Sequence, residues 1–288
     1  MHVMPLEPAL NGVFLKFLTQ DIISNYFAIL DFELYKEKTK FWIALEGDTN
    51  VVGYLLEHDG KIVYLRGNAE CITELLKMTS LIKPEFNVEK THIQTIKRFY
   101  EPTSPIGTSR DKINEIFAME VDKKRFKPIV KCAPKKLDAS EFDALKRLYA
   151  KFYEEMTLGP ITREQIRRTL DRCTKYGLTY GIYDEHNLVS FASGSSILKD
   201  VAHMAPVYTL PKFRIRGYAT SACSALVREL LNNNERTMLF VSESNIPAFK
   251  VYKKIGFTKT GHTFLTFFAH RKSSAAFTPP RVPAGPKN

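Results

Sequence analysis

The feature that most constrains the fold is a strand that runs into a short basic loop, from which a helix begins. Residues 206–210 have the composition of a strand, and the loop that follows contains Arg214, Arg216 and Gly217. The first turn of a helix presents unpaired backbone N–H groups and a partial positive charge, which can hold a phosphate or a diphosphate. Gly217 allows close approach because it has no side chain, and the arginines add forked donors. The segment therefore predicts an anion-binding junction.

Two interpretations of this junction are open at this point. A basic loop can simply cap the end of a strand, with its charges in solvent. Anion binding is favoured by the R-x-x-G-x-A spacing together with an amphipathic helix downstream, whose apolar face comprises Cys223, Leu226, Val227 and Leu230.

The first half of the 288-residue chain predicts a smaller α+β domain. An apolar helical stretch is followed by three strand-like segments, at 41–45, 51–56 and 62–65, with turn residues between them. A helix over 69–78 follows. Prolines at positions 128 and 134 then interrupt the chain, so we place a domain boundary near residue 130.

The second half, over residues 131–270, predicts the order helix, helix, three strands, helix, strand, helix, strand. The first helix is capped at Asp138 or Ser140, and the second begins with a capping-box pattern at Thr162. This order is typical of a mixed α/β domain. Residues 271–288 are proline-rich with basic charges only, and they predict a disordered tail. The predicted strands are 178–183, 188–193, 201–210, 237–241 and 263–269, and the later helices are 219–231 and 248–255.

A formal net charge of +11 indicates which partners the chain suits. Nucleic acid, an anionic membrane surface and a phosphate-rich cofactor are candidates, and a solvated lysine-rich surface is the plain alternative. No segment approaches the roughly 18 apolar residues that a membrane span needs, and the start lacks the pattern of a secretory leader. The four cysteines form no C-x-x-C pair, which predicts reduced thiols and no metal site. We expect a cytoplasmic protein without a membrane partner.

Two segments of the second half resemble motifs of the GNAT superfamily of acyl-CoA-dependent N-acetyltransferases. Arg214, Gly217 and Ala219 occupy the Q/R-x-x-G-x-G/A signature, and residues 245–257 resemble the N-x-x-[AS]-x-x-x-Y-x-x-x-G-F segment about 30 residues downstream. Two motifs in the right order make the resemblance, over roughly 130–270, more specific than either motif alone. It implies a GNAT-like α/β (α+β) fold with a mixed, mostly antiparallel sheet flanked by helices. The strand meander of the first half is open to interpretation as a degenerate GNAT-like unit.

The resemblance implies acetyl-CoA (coenzyme A) as the donor. In the family, the strand before the basic loop splays away from the next strand, and Pro206 suits such a strand because it has no N–H group. The diphosphate would then lie at the helix start. The implied cofactor-binding residues are Val207, Tyr208, Thr209, Arg214, Ile215, Arg216, Gly217, Tyr218, Ala219, Thr220, Asn245 and Tyr252.

The resemblance also implies a general acid. Tyr252 occupies the family's tyrosine position, and a phenol with a pKa of about 10 can protonate a departing thiolate. As a helix residue it could equally be a tyrosine of the core. We predict Glu243 as the general base, with His203, Glu154 and Glu155 as further candidates and a water chain as the alternative.

The function expected from these residues is transfer of an acetyl group from acetyl-CoA to a primary amine, by direct attack in a ternary complex. Two alternatives stay open: an acyl-CoA-binding regulatory module without turnover, and an N-acyltransferase that moves a longer acyl group onto an amino acid. A nucleic-acid-binding role is disfavoured, because the basic run 123–127 falls in a linker. The expected partners are an acyl-CoA donor and an unidentified amine, whose pocket lies near residues 141–171. The chain would be a monomer or a homodimer.

Overall fold

The computed structural model describes residues 1–103, 113–155 and 177–273. Contacts divide the chain into two compact units. The first unit comprises Met1–Ile116 together with the chain from His262 onward, and the second comprises Phe117–Gly261. The predicted helix at Thr162, much of the predicted acceptor pocket and the tail after residue 273 lie outside the described residues.

This division differs from the boundaries placed near residues 130 and 270. The chain after residue 117 belongs with the second unit, where the N–H groups of Lys127 and Ile129 donate to the Ile255 carbonyl and to Ser224 Oγ, each at 3.1 Å. The final strand returns to the first unit, because residues 264–268 pair with residues 85–89. Long-range hydrogen bonds, rather than the local prolines, decide where each unit ends.

The first unit contains the predicted strand meander. Its helices and strands are β1 (His2–Pro5), α1 (Asn11–Gln20), α2 (Ile22–Leu34), β2 (Thr39–Glu46), β3 (Asn50–His58), β4 (Ile62–Gly67), α3 (Ala69–Leu76), β5 (Glu85–Glu89), α4 (Ile93–Phe99), β6 (Tyr100–Thr103) and the start of β7 (Asn114–Asp122). Strands β1 to β4 pair antiparallel in chain order, and β5 pairs parallel to β4. The predicted turns are confirmed, since Gly47 and Gly60 take the positive φ angles, 70° and 64°, that hairpin turns favour.

The second unit repeats this order of elements. Its helices and strands, after the end of β7, are β8 (Lys135–Lys136), α5 (Phe142–Glu155), β9 (Gly177–Asp184), β10 (Asn187–Ser195), β11 (Val201–Thr209), α6 (Tyr218–Asn233), β12 (Arg236–Ser242), α7 (Ile246–Lys254) and the start of β13 (Thr258–Arg271). Strands β8 to β11 pair antiparallel, and β12 pairs parallel to β11. In both units, a meander leads through a helix to a parallel strand, as in the α/β class.

Helix α6 forms the centre of the second unit's core. The predicted apolar face is confirmed, because Cys223, Leu226, Val227 and Leu230 are each at most 1% exposed. They pack in one cluster with side chains of β9, β10 and β11. Burial of such side chains contributes roughly 1.5–3 kcal/mol each, so this face holds α6, and therefore the loop before it, firmly against the sheet.

Two local features fix the ends of the neighbouring helices. Asp138 accepts a hydrogen bond from Ser140 N–H at 2.8 Å, and Glu141 accepts one from Asp138 N–H at 2.9 Å, which confirms a cap before α5. Gly256, after α7, has a φ of 107°, and an added Cβ would lie 2.2 Å from the Arg125 carbonyl oxygen. The glycine of the second motif thus permits a close backbone contact that a larger residue would block.

None of the helices in the described ranges is both long and apolar enough to cross a membrane.

Candidate functional site

Strands β11 and β12 separate part of the way along their length. Their parallel pairing runs from Val201 opposite Arg236 to His203 opposite Met238, although β12 continues to Ser242. Strand β11 meanwhile stays paired with β10 as far as Thr209, opposite Ser190. The two strands therefore leave an opening toward their carboxyl ends, which is where open α/β sheets commonly bind ligands.

The backbone of β11 turns polar groups toward this opening. The Leu210 N–H donates to the Val189 carbonyl on the β10 side at 3.0 Å. Because antiparallel pairing alternates along a strand, the backbone groups of Thr209 and Val207 face the opposite side. The Thr209 carbonyl accepts a hydrogen bond from Arg214 Nε at 3.0 Å. By this alternation, the N–H groups of Val207 and Thr209 lie on the side of the opening.

The start of α6 presents a run of backbone donors. Gly217 is its N-cap residue, with a φ of 83°, and the Ser221 N–H makes the first helical hydrogen bond, to the Gly217 carbonyl at 3.0 Å. Within the described part of the chain, none of the N–H groups of residues 215–220 has a hydrogen-bond partner. Such a run at a helix start is suited to bind an anion. The predicted junction therefore has free donors rather than donors that are already paired.

Ile215 is held in a strained backbone conformation in this loop. Its φ is 66°, and its side chain is fully exposed. A β-branched residue in the left-handed region costs roughly 1–2 kcal/mol. Residues 215 and 217 both take positive φ angles, and left-handed residues of this kind occur in the backbone of anion-binding nests.

We expect Ile215→Gly to raise the free energy of unfolding by about 0.5–1 kcal/mol, because relief of strain outweighs the greater freedom of glycine in the unfolded chain. Urea denaturation measures it. The matched control is Ile246→Gly on the first turn of α7, an exposed isoleucine in helical conformation. That change should destabilise by up to about 1 kcal/mol, and a similar loss at position 215 would contradict the assigned strain.

Arg214 is bound to a carboxylate rather than left free. Its Nη2 lies 2.6 and 2.7 Å from the two carboxylate oxygens of Glu155, at the end of α5. The Tyr208 hydroxyl donates to the same carboxylate at 2.9 Å. Partial burial raises the pKa of Glu155, but the hydrogen bonds from Arg214 and Tyr208 outweigh it, so the pKa lies below its usual value. Burial and then the bond to Glu155 raise the pKa of Tyr208 to about 12.

Arg216 is held in a similar way. Its Nη1 lies 3.1 Å from Asp184 Oδ2, and the Tyr218 hydroxyl donates to the same oxygen at 2.9 Å. The Arg216 guanidinium also lies over the Phe213 ring, 5.3 Å from its centroid. Sequence reasoning missed Asp184, because a carboxylate at the end of a strand usually stands in solvent. Both arginines of the loop are therefore paired with carboxylates from elsewhere in the unit.

Tyr252 is buried in the core of the second unit. It is 9% exposed and packs in the same cluster as Cys223, with the Phe257 ring 6.0 Å away. Burial raises the pKa of its phenol, so the neutral form persists at high pH. Among the described residues, its hydroxyl has no hydrogen-bond partner. Tyr252 is therefore a residue of the core. Because its phenol is protonated, the interpretation as a general acid stays open as well.

The other predicted residues differ in their environments. Asn245 caps α7, since its side chain accepts a hydrogen bond from Ala248 N–H at 3.2 Å. Glu243 is exposed in the turn before it. His203 lies at the last β11–β12 pair, with its ring 5.7 Å from that of Phe240. Glu155 is committed to Arg214, which disfavours it as a free base. Glu154 pairs with Lys151 at 2.8 Å on the surface of α5.

The corresponding place in the first unit is filled by a side chain. Strands β4 and β5 stay paired from Ile62 to Leu65, and the buried Arg66 donates to the Asn87 carbonyl at 3.0 Å and to the Ser24 carbonyl at 3.2 Å. Asn68 caps α3 by accepting a hydrogen bond from Cys71 N–H at 2.9 Å. These contacts occupy the region that is open in the second unit, so the opening distinguishes the two.

No three histidine, cysteine or acidic side chains in the described ranges come together as a metal site. What the second unit offers instead are backbone donors: those of residues 215–220, around Gly217, and those of Val207 and Thr209. This set fits a linear, phosphate-bearing molecule that lies along β11 with its phosphates at the start of α6.

The comparisons with known proteins concern the sequence and the fold. Residues 179–265 match the family of FR47-like proteins. No curated protein matches the sequence at a significant level.

Solved structures match over both units. The chain is similar to a GNAT-family acetyltransferase from Colwellia psychrerythraea, with 11% identity, a TM-score of 0.63, and coverage of 94% of this chain and 100% of that one. A GCN5-related N-acetyltransferase from Sphaerobacter thermophilus shares 12% identity, with a TM-score of 0.64 and coverage of 94% and 95%. A tandem GNAT protein from the clavulanic acid biosynthesis pathway shares 14%, with a TM-score of 0.57 and coverage of 94% and 98%. At such identities these likenesses establish the fold alone.

Proposed function

We propose, from the premise that this chain has a GNAT fold and that its residues 179–265 match the FR47-like family, that it is an acyl-CoA-dependent N-acetyltransferase. The reaction would move an acetyl group from acetyl-CoA to a primary amine. The observation that carries the proposal is the run of free N–H groups at residues 215–220, beside the opening between β11 and β12. The donor site is assigned to the second unit, because Arg66 fills the equivalent place in the first.

The residues present fit a coenzyme A ester. The backbone at residues 215–220 would bind the diphosphate, and Gly217 permits the positive φ that this loop adopts. The N–H groups of Val207 and Thr209 would bind the pantetheine arm and could polarise the thioester oxygen. Asn245 supports the site indirectly by fixing the start of α7, which carries Tyr252.

Acetyl-CoA supplies a thioester whose carbonyl carbon is attacked by a neutral amine, so that a C–N bond forms and the C–S bond breaks. Tyr252 would donate its phenolic proton to the departing sulfur. Burial raises the pKa of this phenol, which keeps it protonated until the thiolate forms but also makes it a weaker acid, so the transfer depends on close contact with the sulfur. The proton that the amine nitrogen loses needs a separate acceptor.

Glu243 remains the proposed acceptor of that proton, directly or through water. It lies in the turn directly after the carboxyl end of β12, and it is exposed to solvent. The engagement of Glu155 by Arg214 and Tyr208 supports Glu243 over Glu155.

Thiol release from acetyl-CoA, measured across a library of primary amines and amino acids, tests the proposal. Release with at least one amine supports an N-acetyltransferase. Release only from longer acyl-CoAs with amino acids would replace it with the N-acyltransferase alternative. Binding of acetyl-CoA without release in any combination would indicate a binding module, and the absence of both would reject the proposed function.

A further inference from the structure

The arginines at the start of α6 provide little unpaired positive charge for a bound diphosphate. A bound diphosphate needs positive charge nearby in addition to backbone donors. Arg214 and Arg216, the cations of the signature loop, already bind Glu155 and Asp184. Each ion pair has a net charge close to zero. The two arginines therefore stabilise the loop but add little net positive charge to it.

Lys131 is a third cation at this place, and it comes from outside both motifs. Its side chain packs beside the helix start: a Cβ added at Gly217 would lie 3.3 Å from Lys131 Cδ and 3.9 Å from its Cβ. The ammonium group is two bonds beyond that Cδ atom. The residue is exposed, and within the described part of the chain no carboxylate pairs with it.

The backbone of this segment is fixed to α6. Ser221 Oγ accepts hydrogen bonds from the N–H groups of Lys131 and Cys132, at 2.9 and 3.2 Å. Ser224 Oγ, one turn further along, accepts from the N–H of Ile129 at 3.1 Å. The segment 129–132 therefore lies along the first two turns of α6, and the origin of the Lys131 side chain is set by the same helix that presents the backbone donors.

We infer that Lys131 is a further donor-binding residue, whose ammonium group binds a phosphate of the coenzyme A nucleotide. This inference rests on the proposed function, since it assigns one more contact to the same site. It gives the segment 129–132 a specific role. The segment brings a cation to the helix start, and among the described residues no acidic side chain pairs with that cation.

Isothermal titration calorimetry with coenzyme A at low salt tests the inference without reference to turnover. We expect Lys131→Met to raise the Kd by about 10-fold, as for loss of one charge-assisted hydrogen bond, and Lys131→Arg to stay within about 3-fold of the unsubstituted protein. Lys199→Met, at an exposed lysine in the loop before β11, is the matched control and should bind normally. The difference should shrink at about 1 M salt, where screening acts over roughly 3 Å.

A second titration, with dephospho-coenzyme A, identifies the phosphate. If Lys131→Met weakens both ligands alike, the contact is with the diphosphate; if it weakens only coenzyme A, the contact is with the 3′-phosphate. Unchanged binding of both by Lys131→Met, with a normal unsubstituted protein, would overturn the inference alone. A failure of the unsubstituted protein to bind coenzyme A would overturn the proposed function and this inference with it.

Discussion

Replacement of Tyr252 by phenylalanine should lower kcat for acyl transfer by about 10²–10⁴-fold, the range that a positioned general acid contributes. The KM for acetyl-CoA should change little, because the substitution removes one oxygen and retains the ring that packs against Phe257. Steady-state thiol release, with an amine that the library identifies, measures both constants. Thermal unfolding should stay close to that of the unsubstituted protein, since the hydroxyl has no hydrogen-bond partner among the described residues.

The matched control is Tyr183→Phe, which removes a hydroxyl from β9 in the same unit and should change kcat by less than about 2-fold. The pH profile gives a second readout. Because burial raises the pKa of Tyr252, its proton should be retained up to and beyond pH 10, so the unsubstituted enzyme should not lose activity through this group at moderately alkaline pH. A Tyr252→Phe variant with kcat within about 3-fold of normal would rule out the acid role.

Substitution of Gly217 by glutamate should raise the Kd for acetyl-CoA by at least about 100-fold. The new carboxylate would stand at the helix start, where repulsion from a phosphate a few ångströms away is worth roughly 4 kcal/mol at an intermediate dielectric constant. It would also stand beside Lys131 and compete with the phosphate for that cation. A φ of 83° also strains any residue other than glycine, which should cost about 1–2 kcal/mol of stability. Calorimetric titration measures the affinity, and urea denaturation measures the stability separately.

Two variants separate charge from strain in this experiment. Gly217→Gln introduces a similar volume and the same strain without charge, and it should weaken binding by less than the glutamate does. Gly60→Glu introduces the same charge at a turn glycine with a φ of 64° and open space around it, in the first unit. It should lose stability but bind acetyl-CoA normally. Normal binding by Gly217→Glu would show that the diphosphate lies elsewhere.

The sequence by itself predicted the local elements of the site. The strand, basic loop and helix over residues 201–231, the apolar face of α6 and the turns of the first meander are short-range features, which depend on side-chain periodicity and on glycine conformations. The resemblance of the second half to the GNAT superfamily, read from Arg214, Gly217 and the segment 245–257, implies a fold that the similarity to solved GNAT structures confirms, and residues 179–265 match the FR47-like family.

Only the tertiary structure determined which charged side chains are paired with each other and which are available to a ligand. Only the fold brings Glu155 to Arg214, 59 positions apart, and Asp184 to Arg216, 32 positions apart. These contacts pair the two arginines that the sequence offers as phosphate ligands, and Lys131 packs against Gly217 from outside both motifs.

The same holds for the ends of the units and for Tyr252. The return of β13 to the first unit and the burial that raises the pKa of Tyr252 depend on contacts between distant segments. A side chain's charge state and its availability are set by neighbours in space. Neighbours along the chain determine the helices and strands, but they do not determine which carboxylate faces which arginine.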